Sequence, residues 1–251
     1  MGKNKGNHKQ EKIIANDKDK ELSKTTVEPT EKKEDEVELE EPKTLTQKFV
    51  SKFDRFGDLF FLNIFFFVTS IPIITLGASL TALYTVTNKM IKNEEGPIKD
   101  TYMKAFKDNF KQATAIWIFD LLAIAFLGGQ YALYLNYTES AVGKILFIIM
   151  GFEFVVMAFA MPLQFPLLAR YDNTVSRTIL NSLILALTNL SVWFRIFFIW
   201  MFPIALYSLK PNFFFYSWFL WAMILYAVLA YACSMFLVKF YEKMESAEAS
   251  K

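Results

Sequence analysis

The chain has 251 residues, 54% of them apolar and 21% charged, with 27 phenylalanines and a formal net charge of +2. One histidine (His8) and one cysteine (Cys233) exclude a histidine-ligated iron, zinc or copper centre, an intrachain disulfide and histidine-based acid–base catalysis. Charge and apolarity coexist because they are segregated along the chain.

Residues 1–44 carry ten Lys and twelve Asp or Glu, and no aromatic side chain. A segment of that composition cannot bury enough apolar surface to offset its ordering entropy, so a disordered, solvated tail is expected. Lys3, Lys5, Lys9 and Lys12 make a basic start, and an acidic block runs from Glu28 to Glu41. The tail reads either as an electrostatic tether to lipid or partner, or as a plain solubilising leader. No apolar core follows the basic residues, as a signal peptide requires, and Gly6 departs from the myristoylation pattern.

The stretch Asp58 to Asn88 is predominantly apolar, and as one straight helix it would reach about 45 Å, more than a single crossing needs. Ser70-Ile71-Pro72 lies near its middle and Gly77 soon after. Proline removes a backbone donor and disfavours helix in the residue before it, so a break at Pro72 is expected. Two outcomes compete: one crossing followed by an interfacial helix (Ser79 to Met90), or two short arms that enter and return.

Beyond it, Tyr102, Phe106, Phe110 and Ala113 form an apolar stripe, with Lys104, Lys107, Asp108 and Lys111 on other faces. This predicts an amphipathic helix leading into a span. Four segments have the roughly 20 apolar residues a crossing requires: Ala115 to Leu135, Ile145 to Ala169, Val192 to Leu209 and Phe213 to Val238. Their short polar links make neighbours antiparallel. Ile179, Leu183, Leu187 and Leu190 repeat the stripe 77 residues on, and Leu45, Phe49, Phe53 and Phe56 offer a third copy. The spacing is that of three units, each an amphipathic helix followed by a hairpin, or a chance feature of a polytopic chain.

Lys and Arg arbitrate the topology, because cytoplasmic segments hold the excess. Of the seventeen from Lys43 onward that lie outside the spans, fifteen lie on one side if Pro72 turns the chain back, against Lys144 and Lys210 on the other; a single crossing divides them six to eleven. The expected fold is therefore an all-α polytopic membrane bundle. It has four full spans plus a proline-broken N-terminal hairpin or span, five to six crossings in all, and both termini cytoplasmic. Residues 1–44 form the tail, 45–241 the transmembrane domain and 242–251 a short cytoplasmic tail.

Polar groups at membrane depth are costly and are functional suspects by default. Glu153, in Phe152-Glu153-Phe154, lies about 12 Å from the outer end of its span. It is a candidate proton or cation carrier, or a glutamate bracing two helices. Asp120 and Arg195 lie near the cytoplasmic ends of their spans, able to snorkel toward headgroups or to form an ion pair with each other. Pro162 and Pro166 bracket Gln164, and with Pro72 and Gly77 are candidate helix breaks of the kind that build solute sites in transporters, or simple kinks.

No phosphate-binding Gly-rich loop, nucleophile elbow or dinucleotide fingerprint is present. No enzyme activity, cofactor, metal or nucleic-acid partner is expected.

Phe61-Leu62-Asn63-Ile64, Ser70-Ile71-Pro72-Ile73-Ile74-Thr75-Leu76-Gly77-Ala78-Ser79 and Thr81-Ala82-Leu83-Tyr84 resemble the opening signature of the YesL-like family. Glu95-Gly96 and Phe106 to Thr114 are similar to that family's next block. The resemblance covers roughly residues 53–240, leaving the charged tail as an extra. It implies a bacterial plasma-membrane protein of uncharacterised activity, in a family often encoded beside carbohydrate uptake and degradation genes. The function that follows is a non-enzymatic accessory or scaffold for a membrane partner such as a sugar transporter. The alternative is a small-solute or ion carrier using Glu153 and the proline-broken helices.

Overall fold

A computed structural model describes residues 45–249, and every regular element among them is helical. The expected disorder of residues 1–44 lies outside the described residues, as do the side chains of Leu45, Phe49 and Phe53 in the first copy of the stripe. In order come α1 (Leu45–Ser70), a 3-10 turn (Ile73–Thr75), α2 (Leu76–Lys92), α3 (Ile98–Asn136), α4 (Ala141–Leu168), α5 (Val175–Thr188) and α6 (Leu190–Leu209). Then follow α7 (Pro211–Tyr216), α8 (Trp218–Leu220), a π-helical turn (Trp221–Leu225) and α9 (Tyr226–Ala249). Four helices are long and apolar enough to cross a bilayer: Ile98–Asn136, Ala141–Leu168, Leu190–Leu209 and Trp218–Ala247.

The chain breaks where Pro72 stands. Helix α1 ends at Ser70, and Pro72 is extended, with φ −73° and ψ 109°. Thr75 Oγ1 donates to the Pro72 carbonyl at 2.7 Å, and Trp117 Nε1 donates to the Ile73 carbonyl at 2.7 Å, so backbone acceptors at the turn have partners. Beyond it the chain doubles back. Ser79 Oγ donates to Thr69 Oγ1 at 2.9 Å beside the turn, and Tyr102 joins Thr69 at 2.6 Å. At the far end, Arg55 of α1 donates to the Met90 carbonyl and to Asn93 Oδ1 at the end of α2. Asp58 to Asn88 therefore folds as a pair of arms that turn back at Pro72, with α2 buried within the bundle.

Burial explains how an arm of 17 residues is accommodated. Ala78, Ala82, Leu83, Val86 and Met90 are all fully buried, because α2 packs against α3, α4 and α9. A helix sheltered on most faces meets little lipid and need not match the bilayer thickness. It stops at Asn93, whose left-handed conformation (φ 54°) turns the backbone out of the helix.

Charged groups gather at one end of the bundle. Arg55 pairs with Glu95 (3.6 Å), Lys92 with Glu242 (3.3 Å) and Arg170 with Glu245 (2.8 Å). The beginning of α1 and the ends of α2, α4 and α9 therefore share that end. Residues 242–249 are helical and continue α9, with Glu242 and Glu245 in two of these ion pairs.

The amphipathic start of α3 buries Tyr102, Ala105 and Ala113 and runs unbroken into its span. In α5 the buried face is Thr178, Ser182, Leu185 and Ala186, displaced from the expected stripe, with Leu187 and Leu190 exposed. Asn189 (φ −130°, ψ 58°) separates α5 from α6, so this unit carries a joint where α3 has none.

Candidate functional site

Three of the four suspect polar residues, Glu153, Asp120 and Gln164, have partners across the α3–α4 hairpin. Antiparallel pairing is enforced by the tight link: Ser140 Oγ accepts from the Gly143 backbone N–H at 3.1 Å and caps α4. In the resulting register Gln130 Nε2 of α3 donates to Glu153 Oε2 of α4 at 2.6 Å. Nearer the charged end, the buried side chains of Asp120 on α3 and Gln164 on α4, both 2% exposed, face each other. The two acid–amide contacts lie about 15 Å apart along the hairpin.

Glu153 is thus hydrogen-bonded across the hairpin to Gln130. The expected Asp120–Arg195 ion pair does not form among the described residues. Arg195 is exposed, and its guanidinium lies 5.3 Å from the centre of the Phe236 ring, a cation–π contact. Asp120, facing inward on α3, meets Gln164 instead. Asp120 Oδ2, Gln164 Oε1 and Gln130 Oε1 are buried without a hydrogen-bond partner.

Pro162 and Pro166 do not interrupt α4, which runs through both. Pro162 lacks the N–H that would bond to the Ala158 carbonyl four residues back. Trp193 Nε1 of α6 occupies that position, donating to the Ala158 carbonyl at 3.2 Å, with its ring stacked on Phe159 (centroids 4.4 Å apart). Supply of a donor by a neighbouring helix is how membrane helices tolerate proline. Gly77 has a packing role. A Cβ there would lie 2.5 Å from the Ala113 carbonyl oxygen and 2.7 Å from Trp117 Cβ, so its absence permits the close approach of α2 to α3.

Asn63 belongs to the same class of repair. It is fully buried on α1 and donates through Nδ2 to the carbonyls of Trp221 (3.1 Å) and Ala222 (2.7 Å). Its Oδ1 accepts from the Ala227 N–H at 2.8 Å. One side chain thereby serves three backbone groups around the π-helical turn, where i→i+5 bonding disturbs the ladder. Sequence reasoning singled out neither Asn63, Gln130 nor Trp193 as a site residue. An asparagine and a glutamine within apolar runs were the available signals, and for Trp193 there was none beyond its indole donor.

Between α2, α3, α4 and α6 lies a cavity of about 630 Å³, whose walls include Leu80, Trp117, Met161 and Phe197. At its wall Trp200 Nε1 donates to Tyr84 Oη at 2.6 Å. At the charged end, Glu245 accepts from Arg170 (2.8 and 3.0 Å) and from the Tyr171 hydroxyl (2.9 Å). Burial first, and then this bond, push the Tyr171 phenol up to about 12. No group of three or more His, Cys, Asp or Glu suited to a metal occurs among the described residues.

No curated protein and no solved structure matches the chain. A family model described as "Protein of unknown function, DUF624" matches residues 59–137, and so covers most of the α1–α2 hairpin and all of α3. By that match, the segment carrying Asn63, Pro72, Gly77 and Asp120 is similar to a domain of unknown function, here set in a chain whose described residues include four helices long and apolar enough to cross a membrane.

Proposed function

We propose that this protein is a non-enzymatic accessory or scaffold of a bacterial plasma membrane, of the YesL-like kind, serving a membrane partner in carbohydrate uptake or utilisation. The observation that supports this reading best is the Gln130–Glu153 bond. The suspect glutamate is spent on holding two helices together. The cavity between α2, α3, α4 and α6 is walled by apolar side chains, which suits neither a sugar nor a hydrated ion. The clustering of Arg55, Lys92 and Arg170 at one end of the bundle agrees with that end, and both termini, being cytoplasmic. The carbohydrate link draws on the resemblance alone. Crosslinking in native membranes followed by affinity purification tests the reading. A stoichiometric membrane partner such as a sugar permease is expected, and recovery of the chain alone counts against it.

A second reading, a small-solute or ion carrier, is favoured by Asp120 Oδ2 and Gln164 Oε1, buried oxygens left without partners. It requires proton, cation or sugar flux in proteoliposomes that Asp120→Asn or Glu153→Gln abolishes. Equal flux in protein-free vesicles removes it.

A further inference from the structure

The 630 Å³ cavity is elongated along the helices. Its lining on α4 runs from Phe154 to Pro166, twelve residues or about 18 Å of helix. One leaflet of a bilayer, half of a core of roughly 30 Å, is about 15 Å deep. The slot begins near the charged end, and in the membrane reading proposed above its length matches the depth of one leaflet.

Hydrogen-bonding groups in its wall are already engaged. The Trp117 indole is bonded to Ile73, the Trp200 indole to Tyr84, and the Ala158 carbonyl to Trp193. A ligand with donors or acceptors would leave them unsatisfied here, at a cost of some kcal/mol per group. A hydrocarbon chain loses nothing. Ile124, Phe154 and Ile204 line the slot and are each about half exposed or more, so its mouth opens on the face these spans turn to lipid. Met157, Met161 and Met201 give part of the wall the adaptability that suits flexible chains. Cavity volumes of this size hold ligands rather than single waters.

We infer that the slot between α2, α3, α4 and α6 is a binding site for one acyl chain of a membrane phospholipid, taken from the leaflet at the charged end. The chain completes a wall that the protein leaves open.

Full-length protein in phosphatidylcholine vesicles containing a trace of phosphatidylcholine with a photoactivatable diazirine on its acyl chain tests this. After illumination, peptide mapping is expected to place most of the label on Met157, Met161 and Met201. Label spread evenly over outward residues such as Phe147, Ile148 and Phe198 overturns the site. So does a chain-to-chain crosslink through the slot, which makes a second copy its occupant. Ala158→Phe, which fills the slot, is expected to abolish the slot labelling. Gly151→Phe, placed where nothing lies within 4 Å, is expected to leave it unchanged. Should Ala158→Phe fail to fold, the wild-type labelling pattern decides alone.

Discussion

Asn63 and Ala222 are bonded at 2.7 Å across helices 159 residues apart in sequence. That contact, with the companion bonds to Trp221 and Ala227, joins α1 to the last helical run. Asn63→Leu removes all three bonds while keeping size, and strands two carbonyls and one N–H in an apolar setting. A loss of about 3 kcal/mol is expected, read as a lowered midpoint in denaturant-induced unfolding in detergent. An unchanged midpoint would show that the π-helical turn rearranges without its partner.

Gly77→Ala tests the approach of α2 to α3. The added methyl meets backbone oxygen and Cβ atoms that have little freedom to move, so overpacking of about 2 kcal/mol is expected. Gly57→Ala, where nothing lies within 4 Å, is the control and is expected to be neutral or slightly stabilising. Equal effects of the two substitutions would contradict the packing argument.

Trp193 and Pro162 make a double-mutant cycle. Trp193→Phe keeps most of the stack on Phe159 and leaves the Ala158 carbonyl without its donor, a loss of about 1 kcal/mol. In a Pro162→Ala background the restored N–H competes for the same carbonyl, and Trp193→Phe is expected to cost less. A cycle with no coupling energy would separate the indole from the proline.

Glu153→Gln and Glu153→Leu distinguish bracing from transport. Glutamine still accepts from Gln130, so stability is expected to be close to wild type. Leucine leaves the Gln130 amide unpaired and costs about 1 kcal/mol. Destabilisation by glutamine as large as by leucine would mean that the carboxylate itself is needed.

Single cysteines in a Cys233→Ala background test the orientation. Glu94→Cys, beside the charged end, and Glu139→Cys, in the α3–α4 link, are both exposed. Membrane-impermeant reagent applied to intact cells is expected to label position 139 alone. Labelling of position 94 from outside would invert the proposed topology.

Much of this architecture was legible in the residues. Each of the four spans read from hydropathy overlaps one of the four long apolar helices, although the last begins at Trp218 and not Phe213, because crossing a bilayer depends on apolar length, a property of the segment alone. The break at Pro72 was legible for a similar reason, since proline acts on its own backbone. The return of α1 on α2 was foreshadowed by the segregation of Lys and Arg, and the Arg55–Asn93 bond realises it.

Which polar groups meet was a different matter. Helix rotation advances about 100° per residue, so a partner is set by the rotation and register of two helices together, and no local pattern contains it. Asp120 and Arg195 looked matched by position along their spans, yet Asp120 meets Gln164 and Arg195 lies against Phe236. Pro162 looked like a break until Trp193, from another helix, took the place opposite Ala158. The sequence by itself determined how many long apolar helices there would be and where the first one stops. Only the tertiary structure decided that Glu153 is bonded to Gln130 and that an open, apolar slot remains beside α4, because both depend on how several helices pack at once.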